Sequence, residues 1–162
     1  MSVLVEFSRK WCHPEYAATP VELTELIDIE ALLQIKLPKD YMEEVLEAGL
    51  PSPTLALLSS ALEAELALPT VSELNPPLEI VRETKAWHEI GMPKNLIAIG
   101  NDCCGNKFCF VLHDLQNGCR PTAPVYFWDH DFDETNLIAD SFRDWISMYL
   151  GSWADGLDYR NF

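Results

Sequence analysis

Near residue 95 the apolar residues of this chain stop recurring every three or four positions and begin to recur every two. A change of period of that kind separates helix-forming from strand-forming sequence, so residues 95–145 set what the chain can fold into. The spacing predicts a strand over 96–100, a tight turn over 101–106 and a strand over 107–114. A loop with Asn117-Gly118, Pro121 and Pro124 follows, then a strand over 124–131, an acidic loop, and a final helix over about 140–150. Phe108, Phe110 and Leu112 fall on one face of their strand, and Cys109, Val111 and His113 on the other. Both faces are apolar, which predicts a sheet covered on one side and partly covered on the second. In the final helix Phe142, Trp145, Ile146 and Tyr149 form a stripe, Asp140 stands at or near the N-cap, and Gly151 closes it. Burying Phe142 and Trp145 is worth about 2–3 kcal/mol each.

The sequence upstream has helical period. At the start, Val3, Val5 and Phe7 alternate as a short strand does, until Trp11-Cys12-His13-Pro14 interrupts them. Asp28 is placed to cap a helix carrying Ile29, Leu32 and Leu33, which Pro38 stops by forcing Leu37 out of the helical region. A helix over 39–48 is expected to turn Tyr41, Val45 and Leu46 inward and Glu43, Glu44 and Glu47 to water, with Gly49 at its end. Ser52-Pro53 opens another, whose Leu55, Leu58, Leu62 and Leu66 predict a buried leucine side before Pro69. Asn75-Pro76-Pro77 is read as a linker within the domain, followed by a helix over 78–90 with Leu78, Val81 and Trp87 inward. The expected fold class is therefore α+β. A single domain over 1–162 holds a largely antiparallel β-sheet flanked by N-terminal helices and a C-terminal helix, with residues 52–90 as a helical insertion. At 162 residues the chain suits one such unit.

Charge narrows the partners. Twenty-six acidic residues against eleven basic ones give a net charge of −15. Residues 20–80 alone hold 12 acidic and 2 basic residues, and residues 101–162 hold 10 and 4. A field of this sign repels phosphate backbones, which excludes direct nucleic-acid binding, and it attracts a basic protein partner. No apolar run approaches the roughly 18 residues that span a bilayer. The N-terminus lacks the basic patch and long apolar stretch of an export signal, so a cytoplasmic location without membrane association is expected. Five cysteines cannot all pair within one chain, and free thiols follow.

The cysteine and histidine cluster Cys103, Cys104, Cys109, His113 and Cys119 invites a zinc or thiol-enzyme reading. Its spacing argues against both. There is no C-x-x-C, and on one strand Cys109 and His113 would stand roughly 13 Å apart, whereas ligands of one zinc lie within about 4 Å. A nucleophile and its base must be closer still. In the acidic loop, Asp129, Asp131, Asp133 and Asp140 fall at positions 1, 3, 5 and 12 of a calcium loop, but Glu134 holds the position that requires glycine, and a strand precedes it. No cofactor or metal is assigned. The candidate binding residues are Asp129, His130, Asp131, Asp133 and Glu134, a negative patch for a basic partner.

The ordered set Leu37-Pro38-Lys39-Asp40-Tyr41, Leu96-Ile97-Ala98-Ile99-Gly100-Asn101-Asp102, Phe108-Cys109-Phe110, Pro124-Val125-Tyr126-Phe127-Trp128-Asp129-His130-Asp131 and Ile138-Ala139-Asp140-Ser141-Phe142-Arg143-Asp144-Trp145-Ile146 resembles the SUKH superfamily, which includes the Smi/Knr-type proteins, over roughly residues 25–150. The resemblance implies an α+β domain with a non-enzymatic role. Bacterial members are mostly immunity proteins that bind and neutralise toxins, often nucleases. The alternative it implies is a scaffold or signalling interaction module with no toxin partner.

Overall fold

The computed structural model describes every residue, Met1–Phe162. In chain order the elements are α1 (Val3–Trp11), α2 (Leu23–Leu33), α3 (Lys39–Ala48), α4 (Leu55–Glu63), β1 (Glu73–Leu74), α5 (Pro77–Ile90), β2 (Leu96–Asn101), β3 (Lys107–Val111), α6 (Leu112–Gln116), β4 (Val125–Asp129), β5 (Glu134–Ala139) and α7 (Phe142–Ser147), then two 3-10 turns (Met148–Leu150 and Ser152–Ala154). The five strands form one sheet in the order β1-β2-β3-β4-β5, with every neighbour antiparallel. The fold is α+β, as the change of period predicts. No helix is long and apolar enough to cross a membrane.

Alternation along the strands sends side chains to two separate cores. Ile97, Ile99, Phe108, Phe110 and Val125 join the larger one, with Leu4, Phe7 and Trp11 of α1, Tyr41 and Val45 of α3, and the whole α7 stripe. Phe108 stacks on Trp145 with ring centroids 4.6 Å apart, and Tyr41 stands edge-on to Phe110 at 5.6 Å and to Phe142 at 5.1 Å. Such aromatic pairs add about 0.5–1.5 kcal/mol each beyond their buried area. On the opposite face Leu96, Ala98, Cys109 and Trp128 pack with Met92, and Trp87 of α5 lies against them. The C-terminal tail docks, as its aromatic content suggests. Trp153 stacks on Trp11 at 5.9 Å, and the Tyr159 amide donates to the Lys10 carbonyl at 2.7 Å.

Several elements differ from the sequence reading. The N-terminus is helical, because Leu4, Phe7 and Trp11 form one buried stripe and the Ser2 hydroxyl caps the Val5 amide at 3.1 Å. The helix assigned to an Asp28 cap begins earlier, at Leu23, where the Glu25 carboxylate accepts the Glu22 amide at 2.7 Å; Asp28 lies inside it. Thr54, not Ser52, caps α4, whose small side (Ala56, Leu57, Ser60, Ala61) faces the core while Leu55 and Leu62 are exposed. Leu46 is exposed as well. β3 stops at Val111, so Leu112 and His113 belong to a short helix and not to the strand faces assigned to them. Residues 52–90 are not purely helical, since they contribute β1 to the sheet, and α5 lays its Trp87 against the second core. Gly100 lies in β2, where an added Cβ would stand 2.8 Å from the Glu73 carbonyl oxygen, so β1 approaches only because the side chain is absent. β5 was read as loop, and α7 starts at Phe142 with Ser141 capping the Asp144 amide at 3.0 Å in place of Asp140.

The largest reversal is Glu44, which faces the protein and not water, with 2 % of its surface exposed. Its carboxylate accepts the Ser2 hydroxyl, the Leu4 amide at 2.9 Å and Arg143 Nε at 2.8 Å. One side chain of α3 thus holds the first turn of α1 and the start of α7. Neighbouring Asp40 accepts the Arg143 amide at 3.2 Å and its own successor's amide, Tyr41, at 2.8 Å. Burial pushes both carboxyls up. At Glu44 the bonds from Arg143, Ser2 and Leu4 outweigh burial and bring it below its ordinary value of 4.5, whereas at Asp40 burial prevails. A depressed carboxyl contributes stability that is full above its unfolded value and lost as pH falls through the folded one. Replacing Glu44 by Ala is expected to cost about 2–4 kcal/mol in denaturant unfolding at neutral pH. That difference from the native protein should shrink on acidification below the ordinary glutamate range.

Candidate protein-binding edge

Two turns meet at one end of the sheet, β2–β3 and β4–β5. The first is shaped by Asp102, whose Oδ1 accepts the amides of Cys104 at 2.8 Å and Asn106 at 2.9 Å, while Oδ2 accepts Asn106 Nδ2 at 3.0 Å. Gly105 takes the positive φ of +87° that lets the chain return. The Asn106 amide group is then committed to Asp102, so its Oδ1 is free to accept, and it takes both the His130 amide at 3.1 Å and His130 Nδ1 at 2.7 Å. Nδ1 therefore carries the proton. The other ring nitrogen lies 3.3 Å from the Asp131 carboxylate. The imidazole ring packs edge-on to Trp87 at 5.6 Å and against Trp128 at 6.3 Å.

The second turn is held from within. Asp129 Oδ1 accepts the amides of Asp131 at 2.9 Å and Phe132 at 3.2 Å, and Trp128 Nε1 donates to Asp133 Oδ1 at 2.9 Å. Lys107, the cation of the adjoining strand row, is turned inward. It is 3 % exposed, with Nζ 3.1 Å from Glu83, 2.5 Å from Asn101 Oδ1 and 4.5 Å from the centre of the Trp87 ring. Its charge is paired with the half-buried Glu83, and the rim keeps its negative sign.

The five candidate residues are brought together, but they divide by role. Asp129 and Asp133 fasten the turn, and His130 joins it to the β2–β3 turn. Asp131 and Glu134 make no hydrogen bond to the turn's backbone and face solvent. Register places further groups here that the sequence reading did not select: Asp102 on the neighbouring turn, and Glu73 opposite Asn101 on β1. Phe132 was also missed. It is 76 % exposed at the tip between Asp131 and Asp133, and its signal was an apolar residue set among charged ones. Asp140, which would hold position 12 of the rejected calcium loop, stands beyond the far end of β5.

Three of the five thiols are pushed toward their protonated form. Burial raises Cys12 to about 12 and pushes Cys109 far up as well. The exposed Cys103 and Cys104 have sulfurs 3.7 Å apart, and the hydrogen bond with Cys103, together with the charges of Cys103 and Asp102, raises Cys104. No three His, Cys, Asp or Glu side chains are grouped to hold a metal ion. The arrangement is one of display: a rigid turn with carboxylates and one phenyl ring in water.

Asn106 is the joint between the two turns. Asn106→Ala is expected to lower stability by about 1–3 kcal/mol, since it leaves the buried side of the His130 bond without a partner. In amide exchange the His130 amide should open faster than the rest of β4, and the ring proton on Nδ1 should disappear from the NMR spectrum.

Residues 20–148 match the model of the SMI1 / KNR4 family (SUKH-1). No curated protein matches the chain.

Proposed function

The chain belongs to the SMI1 / KNR4 family (SUKH-1), and from that membership we propose that it is a non-enzymatic immunity-type protein that neutralises a basic protein toxin by stoichiometric binding. The observation that carries this reading is the acidic rim formed by Asp131 and Glu134, held in place by Asp129, His130 and Asp133 and backed by Asp102. A nuclease must present a basic groove to its substrate, and a surface of opposite sign competes for that groove. The net charge of −15 adds long-range attraction, which raises the rate of encounter more than the final affinity. Phe132 supplies the apolar anchor that a purely charged rim lacks. A turn whose backbone is already fixed loses little further entropy on binding. The protein is expected to act in the cytoplasm, where an incoming toxin would reach its target.

The test is co-expression with the product of the adjacent gene, followed by sizing of the pair. Cell survival and a one-to-one complex are expected; cell death with no complex would overturn the reading. The double charge reversal Asp131→Lys with Glu134→Lys should weaken the complex about 10–100-fold, mainly through a slower association rate that depends less on salt. Phe132→Ala should instead raise the dissociation rate. Neither change should move the unfolding midpoint appreciably, because these side chains face water.

A further inference from the structure

The outermost strand of the sheet ends at nothing. β5 has β4 on one side only, paired from Asp129↔Glu134 to Val125↔Ala139, and no other hydrogen bond of the molecule reaches the backbone of Glu134–Ala139. The opposite rim of the sheet, β1, is only two residues long, whereas β5 offers six, about 20 Å of unpaired edge. Proteins blunt such edges with lysine, proline or a covering element, because an open ladder recruits other strands. β5 contains no lysine, arginine or proline, and its Glu134, Thr135, Asn136 and Leu137 are exposed, Leu137 to 56 %. The single irregularity, a register shift at Val125/Tyr126, lies at its far end.

Charge decides what such an edge accepts. Glu134 opens the strand, with Asp131 and Asp133 just before it, and exposed Asp140 follows its last residue. A second copy paired antiparallel about a two-fold axis would bring Glu134 of each copy to the Asp140 end of the other. Acid would then meet acid at both ends, and like charges placed opposite each other destabilise a strand pair. An extended segment with lysine or arginine at alternate positions meets the reverse situation. Its main chain completes the ladder, and its cations reach carboxylates at both ends of the strand.

We infer that β5 is a strand-addition site for an extended basic segment of the partner protein, an inference that rests on the immunity reading above and specifies how the contact is made. Main-chain bonds supply the common part of the affinity, and the flanking carboxylates and Leu137 select the sequence.

The experiment uses the full chain, isotope-labelled, and a synthetic seven-residue peptide of alternating lysine and valine, acetylated and amidated. A second peptide of the same sequence is N-methylated at alternate residues, which keeps its charge and removes its ladder donors. The unmethylated peptide is expected to slow exchange of alternate β5 amides at least about tenfold at low ionic strength, with the effect fading as salt is raised. The methylated peptide should not slow them. Equal binding by both peptides overturns strand addition and leaves attraction to the acidic rim standing. No slowing by either peptide also overturns it, and the toxin reading is then decided separately by survival and complex formation on co-expression. Protection of the same amides that rises with protein concentration and without peptide would make a second copy the occupant and overturn the inference.

Discussion

Burial of both faces of the sheet governs which parts of the sheet can meet anything else. α1, α3 and α7 close one face over Ile97, Phe108 and Phe110, and Trp87 of α5 packs against the core on the other, around Ala98, Cys109 and Trp128. What remains in water is the rim: the turns at one end and the outer strand. The cost of this arrangement is that every polar group drawn inside must be satisfied. No buried side-chain nitrogen or oxygen lacks a hydrogen-bond partner. Tyr149 shows how closely the accounts are kept, with its hydroxyl donating to the Pro69 carbonyl at 2.7 Å and accepting from Trp145 Nε1 at 2.9 Å and the Val71 amide at 3.2 Å.

Carboxylates are put to two uses in this frame. Glu44 and Asp40 are buried, and each ties separate helices together through bonds that only their fixed backbone positions allow. Asp102, Asp129 and Asp133 do the same for turns, by accepting nearby amides or the Trp128 indole. A group of this kind contributes little net energy while all its bonds are made, and removing one partner exposes the full desolvation cost.

The parts of the fold that were legible in the sequence are those where one face is buried and the other is distinct. β2, β3 and β4 alternate because their sides enter two different cores, and the stripe Phe142, Trp145, Ile146 and Tyr149 is unbroken from α7 into the following 3-10 turn because all four residues reach the same core. β5 was not legible, because Glu134, Thr135, Asn136 and Leu137 lie in water on both faces and leave no alternation to read. α1 defies its alternation because Val3 and Val5 stay part-exposed, while Leu4, Phe7 and Trp11 form the buried stripe at helical spacing. α4 misled in a different way: its leucines signal a buried face, but Leu57 enters the core beside Ala56, Ser60 and Ala61, and Leu55 and Leu62 are left outside. At the candidate site the run 129–134 was visible as a patch. The division of labour within it was not, because that depends on Asn106, 24 residues away, and on the indole of Trp128.

That division separates what holds the rim from what a partner would touch. Asp129, His130 and Asp133 cannot change without loosening a turn, whereas Asp131, Phe132 and Glu134 can change with little effect on folding, since substitutions at exposed positions usually stay within about ±0.5 kcal/mol. Under the proposed function, such a rim could be retuned to a different basic partner by altering three or four exposed side chains while its scaffold is left alone. The open backbone of β5 is indifferent to sequence in the same sense, because its donors and acceptors are identical whichever residues carry them. The family fold is therefore carried by residues that the sequence displays in regular patterns. The exposed residues of the rim follow no such pattern, and for that reason the fold can be read from the chain more deeply than the identity of a partner on the proposed reading.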